Sequence, residues 1–195
     1  MQAIQEKVDF SFAKVARKLG RKARHYRLVD PLSPLSMPCG MSCLCVDLDH
    51  GFRLRRPRGW AQAMVYGISD AALRTGDLFE QDDCFYFVAQ TEPLRPALLV
   101  CCNRLVSVTG MRGAEGLYVA RCPASLRLTG KGDDRRSGMP GAVRSGSYML
   151  HLPLLPGFCL MPYMQVTDEI GARYLIDAVE RSECGFRAVL SMQQV

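Results

Sequence analysis

The chain has 195 residues, 48% of them hydrophobic and 23% charged, with a formal net charge of +6. These are the values of a folded globular chain, and they exclude disordered and collagen-like classes. No apolar run reaches the roughly 18 residues a membrane-spanning helix needs. No basic-then-apolar leader opens the sequence, so neither a secretory signal nor a membrane partner is expected.

The charge is concentrated at the start. Residues 1–27 hold eight basic residues against Glu6 and Asp9, so the remainder is balanced. Most of the basic residues are Arg, which suits planar contacts with carboxylates and phosphates. Residues 2–19 read as an amphipathic helix. Ile4, Val8, Phe12, Val15 and Leu19 share a stripe about 80° wide at ~100° per residue. Lys7, Lys14 and Lys18 line one flank, and Gly20 is a natural stop. The stripe needs a partner, either the chain's own body or a neighbouring subunit. In the second case the lysines would face an acidic surface or phosphate. Residues 1–28 are therefore set apart as a basic docking arm.

After residue 28 the pattern turns to short apolar runs separated by turn residues. Pro31, Pro34 and Pro38 mark an extended connection. Strands are expected at 41–48, 52–56, 84–91, 97–108, 116–121, 124–129, 147–152, 158–166, 172–179 and 185–192, while 60–73 is ambiguous between strand and short helix. The fold class is mainly β, a barrel or sandwich preceded by one helix. A faint repeat at an offset of 88 lays Tyr86-Phe87-Val88 over Tyr174-Leu175-Ile176, each after an acidic turn. It suggests two related halves, 29–110 and 111–195. Residues 130–146, rich in Gly, Ser and paired charges, read as a long hairpin tip.

Nine cysteines without a leader point to reduced thiols. Cys39, Cys43 and Cys45 lie near His50 but lack the paired C-x-x-C spacing of zinc sites, so no metal or other cofactor is expected. Cys43 and Cys45, two apart on a strand, should share a core face. Cys101 and Cys102 sit in an apolar run and read the same way. No G-x-S-x-G, H-E-x-x-H, G-x-G-x-x-G or Walker A pattern occurs, and His25, His50 and His151 are the only imidazoles. No catalytic residue is named. A Cys–His pair distant in sequence is the enzyme or regulator alternative. Arg53, Arg55, Arg56 and Arg58 precede Trp60 in a basic, aromatic patch. With Lys131, Arg135 and Arg136 they are the candidates for contacts to DNA phosphates or to neighbouring subunits.

The segment Gly76 to Val108 carries a recognisable pattern. It runs Gly76-Asp77, Asp82-Asp83, Phe85 to Ala89, Pro93 to Pro96, then an apolar strand ending Cys102-Asn103-Arg104. This resembles a family of structural virion proteins of tailed bacteriophages from proteobacteria. The resemblance implies a ring-forming, non-enzymatic component of the head–tail connector, found in the virion. It would contact the portal and other neck or tail proteins, and pass double-stranded DNA without reading sequence. A tail-side nozzle, tube or fibre-attachment subunit is the nearest alternative.

Overall fold

The computed structural model describes residues 2–46, 63–111, 116–129 and 147–193. One helix, α1 (Gln2–Leu19), is followed by twelve strands. Strands β1 (Arg21–Tyr26), β2 (Pro38–Val46), β3 (Met64–Ser69), β4 (Leu78–Gln81), β5 (Cys84–Gln90) and β6 (Ala97–Cys102) close an antiparallel barrel in the order β1-β2-β3-β6-β5-β4. Strands β7 (Arg104–Met111), β8 (Leu117–Leu128), β9 (Ser147–Leu152), β10 (Met164–Asp168), β11 (Arg173–Ser182) and β12 (Gly185–Met192) close a second, in the order β10-β11-β12-β9-β8-β7. Adding six to every strand number of the first ring reproduces the neighbours of the second. The molecule is one barrel plan used twice, and closure removes the sheet edges over most of each barrel.

The offset of 88 is the distance between equivalent strands β5 and β11. Tyr86 and Tyr174 are both buried, as are Val88 and Ile176. The acidic turns differ in how they are built. Asp82 and Asp83 both have positive φ, giving the two-residue loop that matches strand twist. In the second barrel Asp168 Oδ1 instead accepts the amides of Ile170 and Ala172 at 3.2 and 2.8 Å.

Several strands depart from expectation. The run 97–108 is two strands, broken at Asn103, where the chain passes between barrels. The runs 116–121 and 124–129 are one strand, β8, continuous through Pro123. Of 158–166, only the part from Met164 is strand. Within the ambiguous stretch, 64–69 is a strand. Residues 21–26, grouped with the arm, are the first barrel strand; their basic side chains point outward while Ala23 and His25 face in. Cys43 and Cys45 do share a face, but Ser42 and Leu44 take the core side, leaving both thiols half-buried on the other. The expected strand 52–56, Trp60, His50 and the tip 130–146 lie outside the described residues.

One hydrophobic core joins the barrels. It includes Leu78, Phe87 and Val100 from the first and Val106, Val119, Leu150 and Ile176 from the second. A smaller cluster around Phe79, Val88 and Leu99 belongs to the first barrel alone. Helix α1 lies against β2 and β3. Its buried point is Ala16, with Val8, Phe12 and Ala13 half-buried. The contact face is thus turned away from the expected stripe, and Ile4, Val15 and Leu19 stay exposed together with Phe10. Gln5 Oε1 accepts the Leu94 amide at 2.9 Å and Arg17 Nε pairs with Asp70 Oδ2 at 3.2 Å.

Gly185 opens β12 at φ +133°, and a Cβ there would press on the Leu152 carbonyl oxygen of β9. Backbone cannot move aside as a side chain can. Gly185→Ala should lower stability by about 1–3 kcal/mol, with thermal denaturation as the readout.

Candidate functional site

The barrels are bracketed together by Asn103. Its side-chain amide donates to the Leu126 carbonyl and its Oδ1 accepts the Leu126 amide, both at 2.8 Å. The Asn103 amide also donates to Ala124 at 3.0 Å. From the first barrel, the connection between β1 and β2 adds the Pro31 carbonyl, which accepts the Ala120 amide at 3.0 Å. Clefts between such units are favoured places for ligands.

Two topologically equivalent connections meet at this seam. The β3–β4 connection, residues 70–77, touches the β9–β10 connection, residues 153–163. A Cβ on Gly76 would lie 3.6 Å from the Leu154 carbonyl oxygen. The β9–β10 connection is held from within. Leu155 and Leu160 are buried, and the Phe158 ring lies 6.3 Å from Phe186 and 6.2 Å from Tyr118. That anchoring leaves Cys159, Met161 and Tyr163 exposed. The Cys159 thiol lies 3.8 Å from the Leu160 carbonyl. Tyr163 then donates its amide to Ile176 of β11 at 2.8 Å.

The facing β3–β4 connection supplies Asp70, Arg74 and Asp77, and no histidine. Asp77 is buried. It receives the Arg74 amide at 3.0 Å and Arg27 Nε at 3.3 Å, and His25 Nε2 lies 3.0 Å away. Burial pushes the Asp77 carboxyl up, but the hydrogen bonds from His25, Arg27 and the Arg74 amide outweigh it, and its pKa falls below the ordinary value. His25 is stacked on Phe79, ring centroids 4.5 Å apart, inside the first barrel. His151 stands on β9. Asp70 is turned to Arg17 and the Cys43 amide and Asp77 to His25 and Arg27, so what the two connections share is the approach of Gly76 to the Leu154 carbonyl, with the Cys159 thiol exposed beyond it.

Strand β11 outruns its neighbour. It pairs with β10 only over Arg173–Leu175, while its pairing with β12 continues to Ser182. Past Ile176 the other edge of β11 has no strand partner among the described residues, and Asp177, Ala178 and 180–182 are exposed. The edge therefore opens where the Cys159-bearing connection ends.

Of the residues singled out from sequence, Val8 and Phe12 pack toward the first barrel, and Lys7, Lys14 and Lys18 are exposed. Arg53, Arg55, Arg56, Arg58, Lys131, Arg135 and Arg136 lie outside the described residues. Among the described residues no three of His, Cys, Asp and Glu gather as a metal site would require. Cys159 was hidden inside an expected strand; the cue was Pro156-Gly157 immediately before it, a turn signal. No family model, curated protein or solved structure matches the chain.

Proposed function

We propose that the chain is a non-catalytic binding module that takes an extended peptide segment along the open edge of β11 at the barrel seam. The observation that carries this reading is the β11 edge that has no strand partner among the described residues and begins beside an exposed loop. An extended segment placed there gains main-chain hydrogen bonds, and the exposed Met161 and Tyr163 provide apolar surface for its side chains.

The test is amide hydrogen exchange with and without a pool of unstructured peptides. The expected result is slowed exchange across Asp177–Ser182 on binding, with Tyr174 and Leu175 unchanged because they already pair. Cys159→Ala should bind within about twofold of wild type, since the thiol contributes no strand hydrogen bond. Unaltered exchange at 177–182 would reject the reading.

A second reading is the structural virion component implied by the sequence resemblance. Its support is the exposed set Ile4, Phe10, Val15 and Leu19 on a helix that also bears Lys7, Lys14 and Lys18. Such a face suits docking on an acidic neighbour, a portal or another copy in a homo-oligomeric ring. Negative-stain microscopy of the purified protein separates rings from single particles.

A further inference from the structure

The outer face of the second barrel carries positive charge that neither reading uses. On β9, Leu150 and Leu152 point into the core, so Met149 and His151 lie on the opposite face. The register sets Ser125 of β8 opposite His151 on one side and Arg187 of β12 opposite it on the other. Arg127 of β8 stands opposite Met149, diagonal to His151. Direct cross-strand neighbours are ~5 Å apart and diagonal ones ~7–8 Å, within reach of long side chains.

The side chains close that distance from both flanks. Arg187 lies across β9, its Nε 3.3 Å from the Met149 sulfur. Arg127 turns back along β8, its Nε donating to Ser125 Oγ at 3.0 Å. The two guanidinium groups thus converge on His151. Its Nδ1 is buried and has no hydrogen-bond partner among the described residues. Among the described residues two further groups stand close to these arginines. Glu180 of β11 pairs with Arg187 at 3.5 Å, with both side chains more than half exposed. A pair of that kind contributes little and yields to a better acceptor. From the first barrel, β6 presents the Cys101 carbonyl, 3.5 Å from Arg127 Nη2.

We propose that Arg127 and Arg187 hold a phosphate group over β9, with His151 as a third contact that strengthens when it is protonated. Two planar guanidinium forks match phosphate oxygens in bidentate fashion. Burial, and then the charges of Arg187 and Arg127, hold the His151 pKa below its ordinary value. A bound anion cancels that repulsion and draws a proton onto the ring. Phosphate therefore raises the His151 pKa, and affinity rises as pH falls. The shared chemistry is the phosphate group, either free or in a nucleic-acid backbone.

The experiment is a titration of the histidine-labelled full chain with inorganic phosphate, following imidazole signals by NMR at two pH values and constant ionic strength. The His151 signal should move to saturation and its pKa should rise, while His25, buried in the other barrel, stays still. Arg127→Gln and Arg187→Gln should each weaken binding about tenfold, the loss of one charge-assisted contact. Arg187→Lys should recover part of it. A short single-stranded oligonucleotide that displaces phosphate assigns the site to nucleic-acid backbone; phosphate that resists displacement assigns it to a free phosphate. A His151 signal that does not respond, or Gln variants that bind as wild type does, would overturn the proposal.

Discussion

Phe87→Ala should destabilise the chain by about 3–5 kcal/mol, a fall of roughly 10 °C in melting temperature for a chain of this size. Phe87 is 1% exposed in the core that both barrels share. It sits between Leu78 of β4 and Val100 of β6 on neighbouring strands. Neither can fill the space of a lost ring without moving its strand in a closed barrel. The same shared core predicts one cooperative transition. Near- and far-ultraviolet circular dichroism should report the same midpoint in wild type and variant. Two separate midpoints would show that the barrels are independent domains.

Asp77→Ala is expected to cost about 3 kcal/mol. The carboxylate receives Arg27, the Arg74 amide and His25 at once, and it is 2% exposed. Removing it leaves the Arg74 amide and the buried His25 without this acceptor, while the partly exposed Arg27 can turn to water. The pH dependence has a definite sign. The folded-state pKa of Asp77 lies below the ordinary aspartate value. Its contribution is complete above that value and is lost as pH falls through the lower, folded-state one. Denaturant titrations should therefore show wild type losing stability on acidification below about pH 4. Asp77→Ala should show a shallower loss over that range, and parallel curves would mean that the carboxylate carries no folding linkage.

Much of the fold was legible in the sequence because its strongest signals are local. Short apolar runs bounded by turn residues identified β5 and β12, and helical periodicity identified α1. The matching tyrosines at 86 and 174 revealed the duplication. The misses have physical causes. In β1 the inward positions are taken by Ala23 and His25, so a barrel strand reads as a basic, polar stretch. Pro123 ordinarily ends a strand, yet β8 carries it through opposite Leu105 of β7, just before the register shifts. The contact face of α1 departs from its most apolar stripe because Ala13 and Ala16 let the helix approach closely, and a hydrophobicity pattern gives alanines little weight. The seam was out of reach from sequence. It depends on two connections about 80 residues apart meeting through barrel duplication, and on an exposed thiol inside a run that looked like strand.

The most direct test is incubation of wild type and Cys159→Ala with a diverse pool of unstructured peptides, products being read by mass spectrometry. The account predicts retained peptides and identical, uncut pools from both proteins. A cleavage product made by wild type and missing with Cys159→Ala would contradict it.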